Sequence, residues 1–186
     1  GNNYNPDIWL IKTDANGNQM WDNTFGDDSG DDSGNSVKQT IDGGYIITGR
    51  KNFPENNKDI WLIKTDANGN EEWNKTFGGD NEEIGYDVQQ TSDGGYIIAG
   101  HTQSYGDATA FWLIKTDSNG NEEWNKILDN GGSHEYARAV EQTTDGGYII
   151  AGRTTSGGTN IWIVKTDSNG NEEWNKAFGG VSADLA

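Results

Sequence analysis

Four times along the chain an aspartate is followed at alternate positions by two asparagines: Asp14, Asn16 and Asn18; Asp66, Asn68 and Asn70; Asp117, Asn119 and Asn121; Asp167, Asn169 and Asn171. Oxygen ligands at alternate positions suit a hard cation such as calcium, which takes about six to eight oxygens. The motif departs from a full calcium loop at its sixth position, which is Gln19, Glu71, Glu122 or Glu172, and at its twelfth, which is Phe25, Phe77, Leu128 or Phe178. A reading without an ion accounts for all four copies: Asn-Gly forms a two-residue type I′ hairpin turn, capped by the aspartate before it. Calcium is the one cofactor that the sequence brings into consideration.

Other reactive side chains are sparse. His101 occupies a slot held by Arg50 and Arg153 in neighbouring copies of a repeat, and His134 stands beside Glu135 in a loop. No His-x-x-x-His pair, nucleophile elbow or Ser/His/Asp set is present, so the sequence gives no support to an enzyme. The Asp-Gly-Gly elements at 42–44, 93–95 and 145–147 lack the lysine and helix of a phosphate loop. Their glycines are expected to supply positive φ in a turn.

These residues sit in a chain of 186 with 30 acidic and 13 basic side chains, a net charge of −17, 27 glycines and no cysteine. The acidity argues against a nucleic-acid partner, which depends on clustered Lys and Arg. The lack of cysteine excludes disulfides, thiolate zinc sites and thiol catalysis. No apolar run approaches the roughly 18 residues of a membrane helix, so membrane insertion is not expected.

The dominant feature is internal repetition. Asp7-Ile8-Trp9-Leu10-Ile11-Lys12-Thr13-Asp14 recurs at 59–66, 111–117 and 161–167, a second tryptophan follows each first one (Trp21, Trp73, Trp124, Trp174), and all eight tryptophans fall in these two series. Asp-Gly-Gly-Tyr-Ile-Ile-(Thr/Ala)-Gly appears at 42–49, 93–100 and 145–152. Period-two patterning divides one unit into four strands. Strand A includes Val37–Thr40, strand B Tyr45–Thr48, strand C Ile8–Thr13, and strand D Glu72–Phe77, with their copies. Strand C is nearly continuously apolar, as expected of a strand covered on both faces, and strand D alternates as a half-exposed outer strand. A two-residue Asn-Gly loop places Lys12 opposite Trp21, so that Trp9 and Trp21 face opposite sides and each blade offers one tryptophan to each neighbour. The tryptophans are therefore expected in inter-blade cores rather than as sugar-stacking platforms.

Four antiparallel strands per unit of about 50 residues is the signature of a β-propeller blade. The fold class expected is all-β, with an N-terminal half-blade and crossover over 1–34 and blades over 35–80, 81–132 and 133–186. Such an arrangement is expected to be an open segment of a larger ring or array. The Trp-Leu-Ile-Lys-Thr-Asp-x-Asn-Gly-Asn-x-x-Trp and Asp-Gly-Gly-Tyr-Ile-Ile-Ala-Gly elements resemble the modules of bacterial and archaeal cell-surface and secreted propellers, related to the delta-sixty repeats. The resemblance covers essentially the whole chain and implies an extracellular or cell-surface location.

Function is expected on the face where the copies differ. The B–C loops (50–58, 101–110, 153–160) and the D–A crossovers (26–32, 78–83, 129–135) vary, whereas the A–B and C–D turns on the other face barely do. Variable loops on a rigid scaffold are where recognition concentrates. The expected function is non-catalytic binding or adhesion, with Arg50, Phe53, His101, Tyr105 and Arg153 as candidate contacts to a glycan or protein ligand. The alternatives are a structural or assembly repeat, whose partners are further blades of a parent chain or a homo-oligomer, and a fragment of a propeller enzyme with its active site elsewhere.

Overall fold

The computed structural model describes residues 7–27, 30–53, 57–105, 108–131, 134–155, 158 and 160–179. All their regular structure is β. A hairpin of β1 (Ile8–Thr13) and β2 (Gln19–Phe25) is followed by three sheets. The first holds β3 (Ser33–Gln39), β4 (Tyr45–Asn52), β5 (Lys58–Thr65) and β6 (Glu71–Phe77). The second holds β7 (Glu83–Gln90), β8 (Tyr96–Thr102), β9 (Ala110–Thr116) and β10 (Glu122–Leu128). The third holds β11 (Tyr136–Gln142), β12 (Tyr148–Thr154), β13 (Asn160–Thr166) and β14 (Glu172–Phe178). Each is antiparallel in chain order, A to D, as in a propeller-like blade. Strands β3, β7 and β11 together line one cavity of about 660 Å³, which makes the A strands the inner edge.

The C–D turn differs from the two-residue type I′ loop read from Asn-Gly. Asp14 N–H donates to Asn18 O (2.9 Å) and Gly17 N–H to Asp14 O (3.1 Å), which closes a three-residue loop with Gly17 at φ +82°. This is the pattern of a turn completed by a left-handed glycine and a bulge. A second irregularity at Met20 then restores the pairing of Lys12 with Trp21, so the expected register holds although the loop is longer. The Asp-Gly-Gly turn uses the same geometry, but only its first glycine is left-handed, as at Gly43 with φ +87°. The second is required for space: a Cβ on Gly44 would lie 2.1 Å from Thr65 O.

Each whole blade is locked by a lysine from strand C. Lys115 is buried, and its Nζ donates to Thr116 O, Glu123 Oε2 and Asp93 Oδ2, at 2.8, 2.9 and 2.9 Å. Lys64 and Lys165 repeat the arrangement with Asp42 and Glu72, and with Asp145 and Glu173. The glutamate in each case is the extra residue of the strand-D bulge, which turns it from its alternating position toward the lysine.

Blades join through apolar faces. One cluster combines Ile46, Ile60 and Leu62 of the first sheet with Val88, Tyr96, Ile98, Trp112 and Ile114 of the second, with Trp73 and Phe77 packed against it. The expected division of labour holds here, since Trp112 faces the preceding sheet and Trp73 the following one. The strand-C tryptophans Trp61, Trp112 and Trp162 are buried, as expected of core residues. Trp9 and Trp174, whose outward faces meet no other sheet among the described residues, are exposed, and the other strand-D tryptophans are only half-buried.

Candidate recognition site at the inner edge of the variable face

In the repeated Asp-x-Asn-Gly-Asn turn the aspartate oxygens accept hydrogen bonds from the turn itself. Asp14 Oδ1 accepts from the backbone N–H of Asn16 (2.8 Å) and Asn18 (2.9 Å), and Oδ2 from Asn18 Nδ2 (2.9 Å). Asp66, Asp117 and Asp167 repeat this with Asn68 and Asn70, Asn119 and Asn121, and Asn169 and Asn171. Hydrogen bonds from the following asparagine hold all four carboxyls below their ordinary range. Each aspartate thus caps its own turn. Asn121 and Asn171 offer their Oδ1 atoms to Lys75 and Lys126 of the preceding blade, at 3.2 and 3.0 Å.

On the opposite face, a buried carboxylate organises the loops of every blade. Asp32, Glu83 and Glu135 begin the A strands and are 3%, 0% and 0% exposed. Glu83 accepts from Gly79 N–H, Thr102 Oγ1, Ser104 Oγ and Gln103 N–H, so one side chain ties the D–A crossover to the B–C loop. Glu135 bonds Thr154 Oγ1 and Asn130 N–H, and Asp32 bonds Asn52 N–H. Burial raises the Asp32 carboxyl above its usual value. An acidic residue at the same repeat slot was the available sequence signal for this network.

Beside these carboxylates the A and B strands assemble a cationic and aromatic cluster. Arg50, His101 and Arg153, expected in the B–C loops, instead lie within the strands β4, β8 and β12, which run longer than the sequence pattern indicates, and take equivalent places opposite Ser33, Ile84 and Tyr136. His101 is 1% exposed, stacks on Tyr86 (ring centroids 5.6 Å, 29°) and meets Tyr136 edge-on at 5.0 Å. Arg138 lies 3.9 Å over the Tyr86 ring, and Arg153 lies 4.8 Å over Tyr136. Glu82 joins the group from below, bonded to Lys58, 3.6 Å from His101 Nε2 and within the field of Arg50. Tyr86 and Arg138 are the extra residues of the strand-A bulges, which explains why they leave the alternation of their strands and reach the cluster.

The chain contains three arginines, and all three are here. The Nε atoms of Arg50 and Arg153 are buried without a hydrogen-bond partner, while His101 Nε2 faces Glu82 Oε1. Buried polar groups are ordinarily paired, so two arginine N–H groups without acceptors mark a position suited to an incoming acceptor. Burial drives the His101 imidazole down to about 4, with Arg138 and Lys58 adding to the effect against the pull of Glu82. The ring is therefore neutral at physiological pH.

Tyr105 and Phe53 do not join this cluster. Tyr105 is exposed, packs 5.7 Å from Trp112 and donates to Gly78 O at 3.4 Å, on the outer part of the same face. Phe53 is half-buried and donates its N–H to Asn57 O. Loop residues 54–56, 106–107, 132–133 and 156–157 lie outside the described residues. Sequence reasoning missed Tyr86, Tyr136, Arg138, Lys58 and Glu82. No family model matches the chain, and no curated protein matches it at a significant level.

Proposed function

We propose that the chain is a non-catalytic binding module of a cell-surface or secreted propeller, and that its ligand presents a carboxylate or sulfate to the arginine cluster. One observation carries the reading: a chain of net charge −17 concentrates its three arginines in one cluster, two of them with a buried Nε that lacks an acceptor. Arginine forks and flanking tyrosines suit planar anionic groups on a sugar or peptide. The surrounding acidic surface repels anions that do not fit, which favours selectivity over nonspecific attraction.

Calorimetric titration with an oligosaccharide of uronic acids, against a neutral oligosaccharide of equal length, tests it. Binding of the acidic probe alone is expected, weakening with salt and falling at least about tenfold in Arg138→Gln, an exposed side chain whose loss leaves the core intact. Equal binding of both probes, or unchanged affinity in the variant, removes the proposal. A second reading, as an assembly repeat, is favoured by the exposed tryptophans of the two outward faces.

A further inference from the structure

The three internal junctions are built by one set of contacts. In each, a strand-D tryptophan lies across the C–D turn of the next unit: a Cβ on Gly69, Gly120 or Gly170 would fall 2.6, 2.5 or 2.6 Å from Cζ3 of Trp21, Trp73 or Trp124. The same rings meet Tyr45, Tyr96 and Tyr148 edge-on at 5.7–5.8 Å. Two residues beyond the tryptophan, Lys75 and Lys126 donate to Asn121 and Asn171 of that turn, and Asn23 donates to Asn68 O. In the opposite direction, the strand-C tryptophan packs back onto the preceding unit. Trp61 joins Ile8 and Phe25, Trp112 joins Ile60 and Phe77, and Trp162 joins Phe111 and Leu128.

Among the described residues, both halves of this junction also occur without a partner. Trp9 is 61% exposed where Trp61, Trp112 and Trp162 are 3%, 3% and 0%. A Cβ on Gly17 meets nothing within 4 Å, in contrast to its three counterparts. On the other outward face Trp174 and Phe178 are 44% and 50% exposed, whereas Phe25 and Leu128 in the Phe178 position are buried.

We infer that a second copy of this chain docks head to tail, with β13–β14 of one copy seated on the β1–β2 hairpin of the next. Trp174 covers the Gly17 turn, Lys176 reaches Asn18 Oδ1, and Trp9 packs on Ile161 and Phe178. A second copy supplies both complementary surfaces, since each matches the partner that its repeat counterpart binds three times within the chain. The arrangement is heterologous and therefore propagates or closes into a ring. It involves no residue of the arginine cluster, so failure of ligand binding and failure of association are separate results.

Sedimentation velocity on the 186-residue chain over a concentration series tests it. Reversible association is expected, with Trp9→Gln and Trp174→Gln each weakening it at least about tenfold while the circular dichroism of the sheets is retained. Mixing the two variants restores a species of two chains and no larger, since one retains an intact tail and the other an intact head. A wild type that is monomeric at about 100 µM, where contacts of this kind bind, overturns the inference. So does association of either variant alone at wild-type strength, which points to pairing through another edge or face, or a mixture that stays monomeric.

Discussion

His101 shows how one side chain can be decided by burial. Its imidazole titrates near 4 in the folded chain against an ordinary value of 6.5, so between those values the unfolded chain takes up a proton that the folded chain refuses. Its neutral state contributes stability in full above about pH 6.5, and that contribution is lost progressively as pH falls toward 4. Urea unfolding is expected to show a loss of about 2 kcal/mol between pH 7 and pH 4.5 from this group. His101→Phe, which keeps the stacking on Tyr86, should flatten that slope. The carboxyls of Asp42 and Asp93, drawn down to about 2, act in a separate window: their contribution is complete above 3.8 and is lost only below it. A probe bound by Arg50, Arg138 and Arg153 should keep its affinity from pH 5 to 8, above the range in which the neighbouring His101 imidazole takes up its proton. A calorimetric pH series measures this directly.

At the level of elements, the bulges and turns perform the positioning. Lys115→Met leaves Asp93 and Glu123 without their shared cation and Thr116 O without its donor. A loss of about 2 kcal/mol is expected, moderated by the exposure of both carboxylates, and measurable by denaturant titration. The C–D turns permit a cleaner comparison. Gly17→Ala and Gly120→Ala impose the same left-handed strain, of about 1–2 kcal/mol, because the two glycines have φ of +82° and +74°. Only Gly120 has a tryptophan ring seated on it. Gly120→Ala should therefore be the more destabilising by at least about 1 kcal/mol, and it should shift Trp73 fluorescence.

Across the whole molecule, stability is distributed by neighbours, as in other stacked-repeat architectures. Trp112 is held between two sheets and Trp9 faces outward, so Trp112→Ala should cost about 3–5 kcal/mol and Trp9→Ala within about 0.5 in the isolated chain. Hydrogen exchange should show the same gradient. Amides of β8 and β9, which are buried throughout, should be protected longest, and those of β1, β2 and β14 should exchange first.

The sequence alone determined the repeat, the four strands of each unit, their order and the inward or outward sense of strands C and D, because hydrophobic alternation and turn residues are local signals. It also placed Arg50, His101 and Arg153 in equivalent slots. It could not show that Tyr86 and Arg138 turn toward those slots, because a bulge adds one residue without leaving a mark in composition, and that single residue reverses the direction of a side chain. Nor could it separate a calcium loop from a self-capped turn, since both ask for oxygens at alternate positions. The tertiary structure shows the aspartate oxygens accepting from N–H groups of their own turn, and the Asn121 and Asn171 oxygens accepting from a lysine of the neighbouring blade, which lies 45 or 46 residues away in sequence but within hydrogen-bond reach in the fold.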